Sequence, residues 1–150
     1  MAGYISVPFF PSLNGKELSY IMDYGDVDAL FIGKIETWDD IKNDLPSEMP
    51  IIRFPKYEGC SNVTKGHEWH EFINSHEPIE NPNKPKLSDL WTIIFTSGTT
   101  GNPKGVMLTY QAIDGIKVVL DDPNNPLGIK HTGNNDFISY LPLNLSLIHI

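Results

Sequence analysis

The stretch LWTIIFTSGTTGNPKG, residues 90–105, joins an apolar run to a segment rich in glycine, serine and threonine. The apolar run, residues 90–95, is typical of a buried strand. In residues 96–105, glycines allow tight turns and a close approach to a ligand, while hydroxyls and backbone N–H groups can donate to an anion. Lys104 adds a positive charge suited to phosphate oxygens. This pattern predicts a loop that binds a polyphosphate.

The loop differs from the two common nucleotide-binding patterns. A P-loop has four residues between its first glycine and a Gly-Lys-Ser/Thr group, whereas two residues separate Gly98 from Gly101, and Lys104 precedes Gly105. The glycine spacing also excludes the dinucleotide-binding fingerprint. Because turns commonly use the same residue types, a structural hairpin turn between two strands is the alternative interpretation.

The loop and its flanks resemble the signature of the adenylate-forming, or AMP-binding, superfamily. The resemblance rests on residues 96–105 with their neighbours at 88–90 and 106–110, and it extends to residues 3–13 and 136–143. Residues 140–143, Tyr-Leu-Pro-Leu, are most similar to the long-chain fatty acyl-CoA synthetases. Those enzymes have a histidine soon after this segment. Here Leu145 stands at that position and His149 comes later.

The resemblance implies an α/β fold, namely part of the large N-terminal domain, with a mainly parallel sheet, flanking helices and a phosphate-loop hairpin. It implies a parent enzyme that activates a fatty or other carboxylic acid with ATP and Mg²⁺ and then transfers the acyl group to CoA. The implied role of the loop is to bind the β- and γ-phosphates of ATP through Thr96, Ser97, Gly98, Thr99, Thr100, Gly101 and Lys104. The family's groups for adenine, ribose, Mg²⁺ and the catalytic lysine find no match, so no catalytic residue and no metal ligand is assigned.

Members of this family are several times longer than 150 residues, so we expect a fragment that is inactive by itself. The alternative is a small, non-catalytic binding or interaction module that keeps the loop as a structural hairpin. The coding sequence after Ile150 discriminates between them. A reading frame that continues through an adenine- and ribose-binding region favours the fragment, and a native stop codon favours the module.

The composition limits the partners. The net charge of −8 argues against nucleic acid, which requires clustered Lys and Arg. No apolar run approaches the roughly 20 residues of a membrane helix, and no signal segment opens the chain. The single cysteine, Cys60, excludes an internal disulfide. We therefore expect a cytoplasmic protein, and we expect self-association through an exposed sheet edge and the apolar residues 141–148.

Hydrophobic periodicity predicts strand–helix repeats over residues 1–76, a proline-rich loop at 77–87 and the phosphate-loop segment at 88–150. Such an alternation predicts a parallel sheet with covered faces. Thr37 is the expected N-cap of the second helix. Trp91 and Phe95 are interpreted as core residues, and His67 and His70 as surface or packing residues, because their spacing does not fit a zinc-protease pattern. The predicted strands are 5–10, 29–33, 51–54 and 90–95, and the predicted helices are 16–24, 38–45, 68–74 and 111–120.

Overall fold

The computed structural model describes residues 3–33, 35–55, 63–96 and 102–124. These ranges contain both helices and strands, including a parallel sheet, which confirms the α/β class. Three parts of the sequence analysed above lie outside the described residues: the resembling segment 136–143, the apolar residues 141–148 and Cys60. In chain order the elements are α1 (Gly15–Tyr24), β1 (Leu30–Ile32), α2 (Trp38–Ile41), β2 (Ile51–Arg53), β3 (His67–Glu68), α3 (Trp69–Asn74), β4 (Leu90–Thr96), β5 (Lys104–Thr109) and α4 (Gln111–Leu120).

The first three strands form the predicted parallel sheet. Their order is β1-β2-β3, with Leu30 opposite Ile51 and Ile52 opposite His67. The two-residue strand β3 was not predicted. It is too short to show a periodic pattern, and it exists because it pairs with β2.

The core of this part of the chain lies between one face of the sheet and the helices α1 and α2. In β1 the side chains alternate, so that Leu30 and Ile32 are buried while Phe31 is exposed. One face of α1 is apolar and buried, through Leu18, Ile21 and Met22. The core cluster comprises Leu18, Met22, Leu30, Ile32, Trp38, Ile41, Leu45, Ile51 and Val63.

Helix α1 begins where its sequence provides a capping box. The Asn14 side chain accepts a hydrogen bond from the Glu17 N–H at 3.0 Å, and the Glu17 carboxylate accepts one from the Asn14 N–H at 3.2 Å. These reciprocal bonds satisfy two backbone donors that a helix start otherwise leaves unpaired. Asn14 therefore sets the N-terminal boundary of the helix, rather than only marking a turn.

Helix α2 is shorter than predicted, because it ends at Ile41 rather than at residue 45. Thr37 lies at the N-cap position but makes no capping hydrogen bond through its side chain, and its buried hydroxyl has no partner among the described residues. After Ile41 the chain forms a tight turn, in which the Asp44 N–H donates to the Ile41 carbonyl at 2.9 Å. The carbonyl of Asp44 then accepts from the Ser19 hydroxyl at 2.8 Å, which ties this turn to α1.

The prediction of a full strand over residues 5–10 is wrong. Only Ser6 pairs in the manner of a strand, in a parallel bridge with Thr92. The Ser6 N–H donates to the Trp91 carbonyl at 3.1 Å, and the Ile93 N–H donates to the Ser6 carbonyl at 2.9 Å. Pro8 has no N–H with which to continue this ladder, so the pairing stops.

The chain divides into two compact units. The first unit comprises Met1–Pro8, Asn83–Ile94 and Val106–Ile150, and the second comprises Phe9–Pro82 and Phe95–Gly105. In the first unit, the buried Thr92 hydroxyl donates to the Ser6 carbonyl at 2.8 Å. The second unit holds the parallel sheet and the residues on both sides of the predicted phosphate loop. Among the helices that the structure describes, none is long and apolar enough to cross a membrane.

Candidate phosphate-binding site

The predicted phosphate loop lies between β4 and β5, which form a two-stranded sheet. Strand β4 ends at Thr96 and β5 begins at Lys104, and both residues belong to the second unit. The structure thus places two of the seven predicted site residues. The other five lie outside the described residues: Ser97, Gly98, Thr99, Thr100 and Gly101.

Thr96 and Lys104 meet at the base of the loop. The Thr96 hydroxyl donates a long hydrogen bond of 3.5 Å to the Lys104 carbonyl. This distance exceeds the roughly 2.5–3.0 Å that is usual for a hydrogen bond between two oxygens, so the hydroxyl is weakly held. The two ends of the loop are therefore close together. Thr96, at one end, is half-buried.

The side chain of Lys104 is exposed. Within the described residues, no carboxylate lies at ion-pair distance from its ammonium group; the one ion pair found there joins Lys42 to Asp39. An ammonium group without an internal counter-ion can donate to an external anion without first breaking a salt bridge. Chemically, this end of the loop can attract and hold a phosphate group.

Phe95, the residue before Thr96, makes an aromatic contact that its sequence neighbours do not predict. Phe95 is 5% exposed, which confirms its interpretation as a core residue. Its ring meets that of Tyr24 edge-on, with centroids 6.2 Å apart and planes at 83°. Tyr24 is stacked on Tyr20, with centroids 5.7 Å apart and planes at 13°. The C-terminal end of α1 thus contacts the last buried residue before the loop.

The sequence indicates the stack of Tyr20 on Tyr24, but not the contact of Tyr24 with Phe95. Tyr20 and Tyr24 are four residues apart on a helix, a spacing that places two rings on the same side. That spacing predicts the stack, but it does not identify Phe95 as the partner, because 71 positions separate Tyr24 from Phe95.

The histidines near α3 form a separate surface feature. An open pocket of about 410 Å³ is lined by five residues of this region. The Phe72 ring contacts both imidazoles that line the pocket, at centroid distances of 6.0 Å and 4.6 Å. Over the described ranges, no group of three or more His, Cys, Asp and Glu side chains is arranged to hold a metal ion. The lining residues are His67, Glu71, Phe72, Ser75 and His76.

Comparison with known proteins identifies the family of this chain. The sequence profile of AMP-binding enzymes matches residues 1–148. The chain belongs to the AMP-binding enzyme family. The resemblance inferred from the loop is thereby confirmed, and it covers nearly the whole chain.

Two similar proteins are long-chain acyl-CoA synthetases. Long chain acyl-CoA synthetase 1 from Arabidopsis thaliana is 28% identical over 149 residues, which cover 93% of this chain and 23% of that protein. Long-chain-fatty-acid–CoA ligase 1 from Homo sapiens is 30% identical over 121 residues, which cover 73% of this chain and 17% of that protein. The chain therefore spans less than a quarter of the length of these relatives.

A solved structure confirms the fold at lower identity. The anthranilate CoA ligase AuaEII, crystallised in complex with anthranoyl-AMP, matches with a TM-score of 0.59 and 18% identity. The match covers 77% of this chain and 22% of that one. The chain is thus a partial domain of the adenylate-forming fold.

Proposed function

We propose that this chain is part of an ATP-dependent, carboxylate-activating ligase of the acyl-CoA synthetase type, and that residues 96–105 hold the β- and γ-phosphates of ATP. Membership of the AMP-binding family and the names of the synthetase relatives support the class of reaction. The single observation that carries the phosphate assignment is the exposed side chain of Lys104, whose ammonium group has no carboxylate at ion-pair distance among the described residues. The Lys104 carbonyl oxygen lies 3.5 Å from the Thr96 hydroxyl, at the base of a segment rich in glycine and hydroxyl groups.

Each residue of the proposed site has a distinct role. Lys104 balances phosphate charge, and the glycines 98 and 101 present backbone N–H groups. The Thr96 hydroxyl has one proton to donate, and its bond to the Lys104 carbonyl is long enough for that proton to turn toward a phosphate oxygen. Further hydroxyl donors come from Ser97, Thr99 and Thr100.

The donor set at the loop suits a polyanion rather than a bare metal ion. Hydroxyls, N–H groups and an ammonium group bind phosphate oxygens, whereas Mg²⁺ requires oxygen ligands that carry negative charge or strong dipoles. In the proposed site, Mg²⁺ would therefore be held by the phosphates of ATP, and it would supply positive charge to the pyrophosphate group.

The proposed reaction has two steps. In the first, a carboxylate oxygen attacks the α-phosphorus of ATP, so that one P–O bond forms and the bond to pyrophosphate breaks. In the second, the CoA thiol attacks the acyl carbon, releases AMP and loses its proton. The loop stabilises the charge that accumulates on the departing pyrophosphate. Substrates of this type are fatty acids or other carboxylic acids, in keeping with the names of the relatives.

The phosphate assignment predicts weak, base-indifferent binding of polyphosphates. Isothermal titration of ATP, GTP and tripolyphosphate into the 150-residue chain should give similar affinities for all three, since the part of the site proposed here recognises phosphates. Lys104→Ala should weaken each by about tenfold, which is the loss expected for one charge-assisted hydrogen bond near the surface. Lys84→Ala is the matched control, because Lys84 is also exposed and its loss changes the net charge equally.

The same titration discriminates between the two functional hypotheses. Equal binding by the wild-type chain and Lys104→Ala would remove this lysine from the site. If the wild-type chain fails to bind tripolyphosphate at millimolar concentration, the loop is a structural hairpin, and the alternative of a non-catalytic interaction module is favoured.

A further inference from the structure

We propose that Tyr24 is a positioning residue for the phosphate loop, acting through Phe95. This inference rests on the proposed function and deepens it, because it identifies what holds the incoming end of the loop in place. It does not require Tyr24 to touch the nucleotide.

The end of α1 is a firm base for such a contact. The Gly25 N–H donates to the Ile21 carbonyl at 2.8 Å, and the Val27 N–H donates to the Met22 carbonyl at 3.0 Å. Ile21 and Met22 are each 3% exposed, so this end of the helix is fixed by the core. A side chain that projects from it has a stable backbone behind it.

Two residues at this helix end lie near the Phe95 ring. The Tyr24 ring meets it edge-on, in the arrangement that aromatic quadrupoles prefer. Gly25 lies close to it without a side chain, since a Cβ placed on Gly25 would be 3.6 Å from Phe95 Cε2. The stack of Tyr20 on Tyr24 limits the rotamers that Tyr24 can adopt. The Phe95 ring is thus held from one side by neighbouring residues of one rigid helix end.

A shift of Phe95 would directly displace Thr96, the first residue of the proposed site. Phe95 is bonded to Thr96, whose hydroxyl lies 3.5 Å from the Lys104 carbonyl oxygen at the base of the loop. A loop that occupies its binding-competent conformation for only a fraction of the time binds with an affinity reduced by that fraction. By favouring one position of Phe95, Tyr24 raises the fraction of chains in which Thr96 and Lys104 face the ligand together.

The exposure of Tyr24 makes the inference testable without loss of the fold. Its side chain is 68% exposed, so it contributes little to the core, and truncation should leave the chain folded. The variants are Tyr24→Ala, Tyr24→Leu and Tyr24→Phe. The matched control is Tyr4→Ala, because Tyr4 is 81% exposed and makes no ring contact within the described part of the chain.

The test is the affinity for tripolyphosphate, measured by titration at a temperature at which circular dichroism shows each variant to be folded. We expect Tyr24→Ala and Tyr24→Leu to weaken binding by about two- to tenfold, the range expected when one edge-on aromatic contact is lost. Tyr24→Phe should restore wild-type affinity, because the ring and not the hydroxyl makes the contact. Tyr4→Ala should bind as the wild type does.

The results separate this inference from the proposed function. If Lys104→Ala weakens binding while Tyr24→Ala and Tyr24→Leu bind like the wild type, the positioning role is refuted and the phosphate site stands. If Lys104→Ala also binds like the wild type, or if the wild-type chain does not bind, the proposed function fails and the inference fails with it. A lower melting temperature for Tyr24→Ala with unchanged affinity would show a purely structural contact.

Discussion

Replacing Gly66 with alanine should destabilise the parallel sheet. Gly66 directly precedes β3 and has a φ angle of +99°, a conformation that favours glycine. A Cβ atom at this position would overlap the Ile51 carbonyl oxygen and would lie 2.7 Å from both Cβ and Cγ2 of Ile51. Ile51 is 2% exposed and pairs with Leu30 in the sheet, so it cannot move aside without disturbing β1 and β2.

The size of the effect follows from two costs. Placing alanine in a left-handed conformation costs about 1–2 kcal/mol, and forcing extra volume into a packed position costs about 1–3 kcal/mol. Together they predict a loss of about 2–5 kcal/mol, against a total stability of about 5–15 kcal/mol for a folded domain. The variant should therefore lose a large part of its stability, and the change should be greater than that of most surface substitutions.

Urea denaturation followed by circular dichroism measures this change, through the transition midpoint at an unchanged slope. Gly115→Ala is the matched control. Gly115 lies within α4, and no atom outside its local backbone lies within 4 Å of a Cβ built there. That substitution should stabilise the chain by about 0.5–1 kcal/mol, because alanine is the better helix former. If Gly66→Ala unfolds at the same urea concentration as the wild type, the steric argument is refuted.

Three further outcomes are expected. Asn14→Ala removes the side-chain acceptor that caps the Glu17 N–H and should cost about 1 kcal/mol in the same urea experiment, and no change in midpoint would show that α1 does not depend on this cap. The wild-type chain should form dimers or larger species by light scattering, because Val106 and Met107 are 41% and 69% exposed on β5, whereas a monomer at high concentration with a cooperative melt would contradict this. The 150-residue chain should show only background pyrophosphate exchange with fatty acids, because in-line attack also requires a fixed adenosine and a bound carboxylate. Carboxylate-dependent exchange would contradict the expectation that the chain is inactive by itself.

The elements that the sequence predicted well are those with a local cause. Helix α4 has its predicted bounds, residues 111–120, and α1 begins one residue before its predicted start. In α1, both the apolar spacing and the capping residues lie within the helix and its first flanking position. The apolar run at residues 90–95 likewise needs no distant partner to be recognised as a buried strand, and β4 extends one residue beyond it.

The elements that the sequence did not predict depend on distant partners. His67 and Glu68 form a strand only because β2 lies beside them. Residues 5–10 have the composition of a strand, yet only Ser6 finds a partner, Thr92, which is 86 positions away. The contact between Tyr24 and Phe95 is of the same kind. The phosphate-binding role of residues 96–105 is inferred from the sequence and stays a prediction, whereas the contact between the end of α1 and Phe95 could not be inferred from the sequence.

The net charge of the chain makes a phosphate site at Lys104 dependent on short-range contacts. A protein with a net charge of −8 repels a polyphosphate at long range. At physiological ionic strength the screening length is about 8 Å, so most of this repulsion is screened, while hydrogen bonds at contact distance are not. Affinity must then come from the ammonium group of Lys104 and from N–H and hydroxyl donors held in a fixed arrangement, because one lysine cannot offset the charge of the whole chain. A divalent cation on the phosphates lowers the charge that the protein must accept, so the magnesium complex of ATP should bind more tightly than free ATP. The fixed arrangement of donors is also what the contact between Tyr24 and Phe95 would preserve, and for this reason a residue outside the loop should influence binding within it.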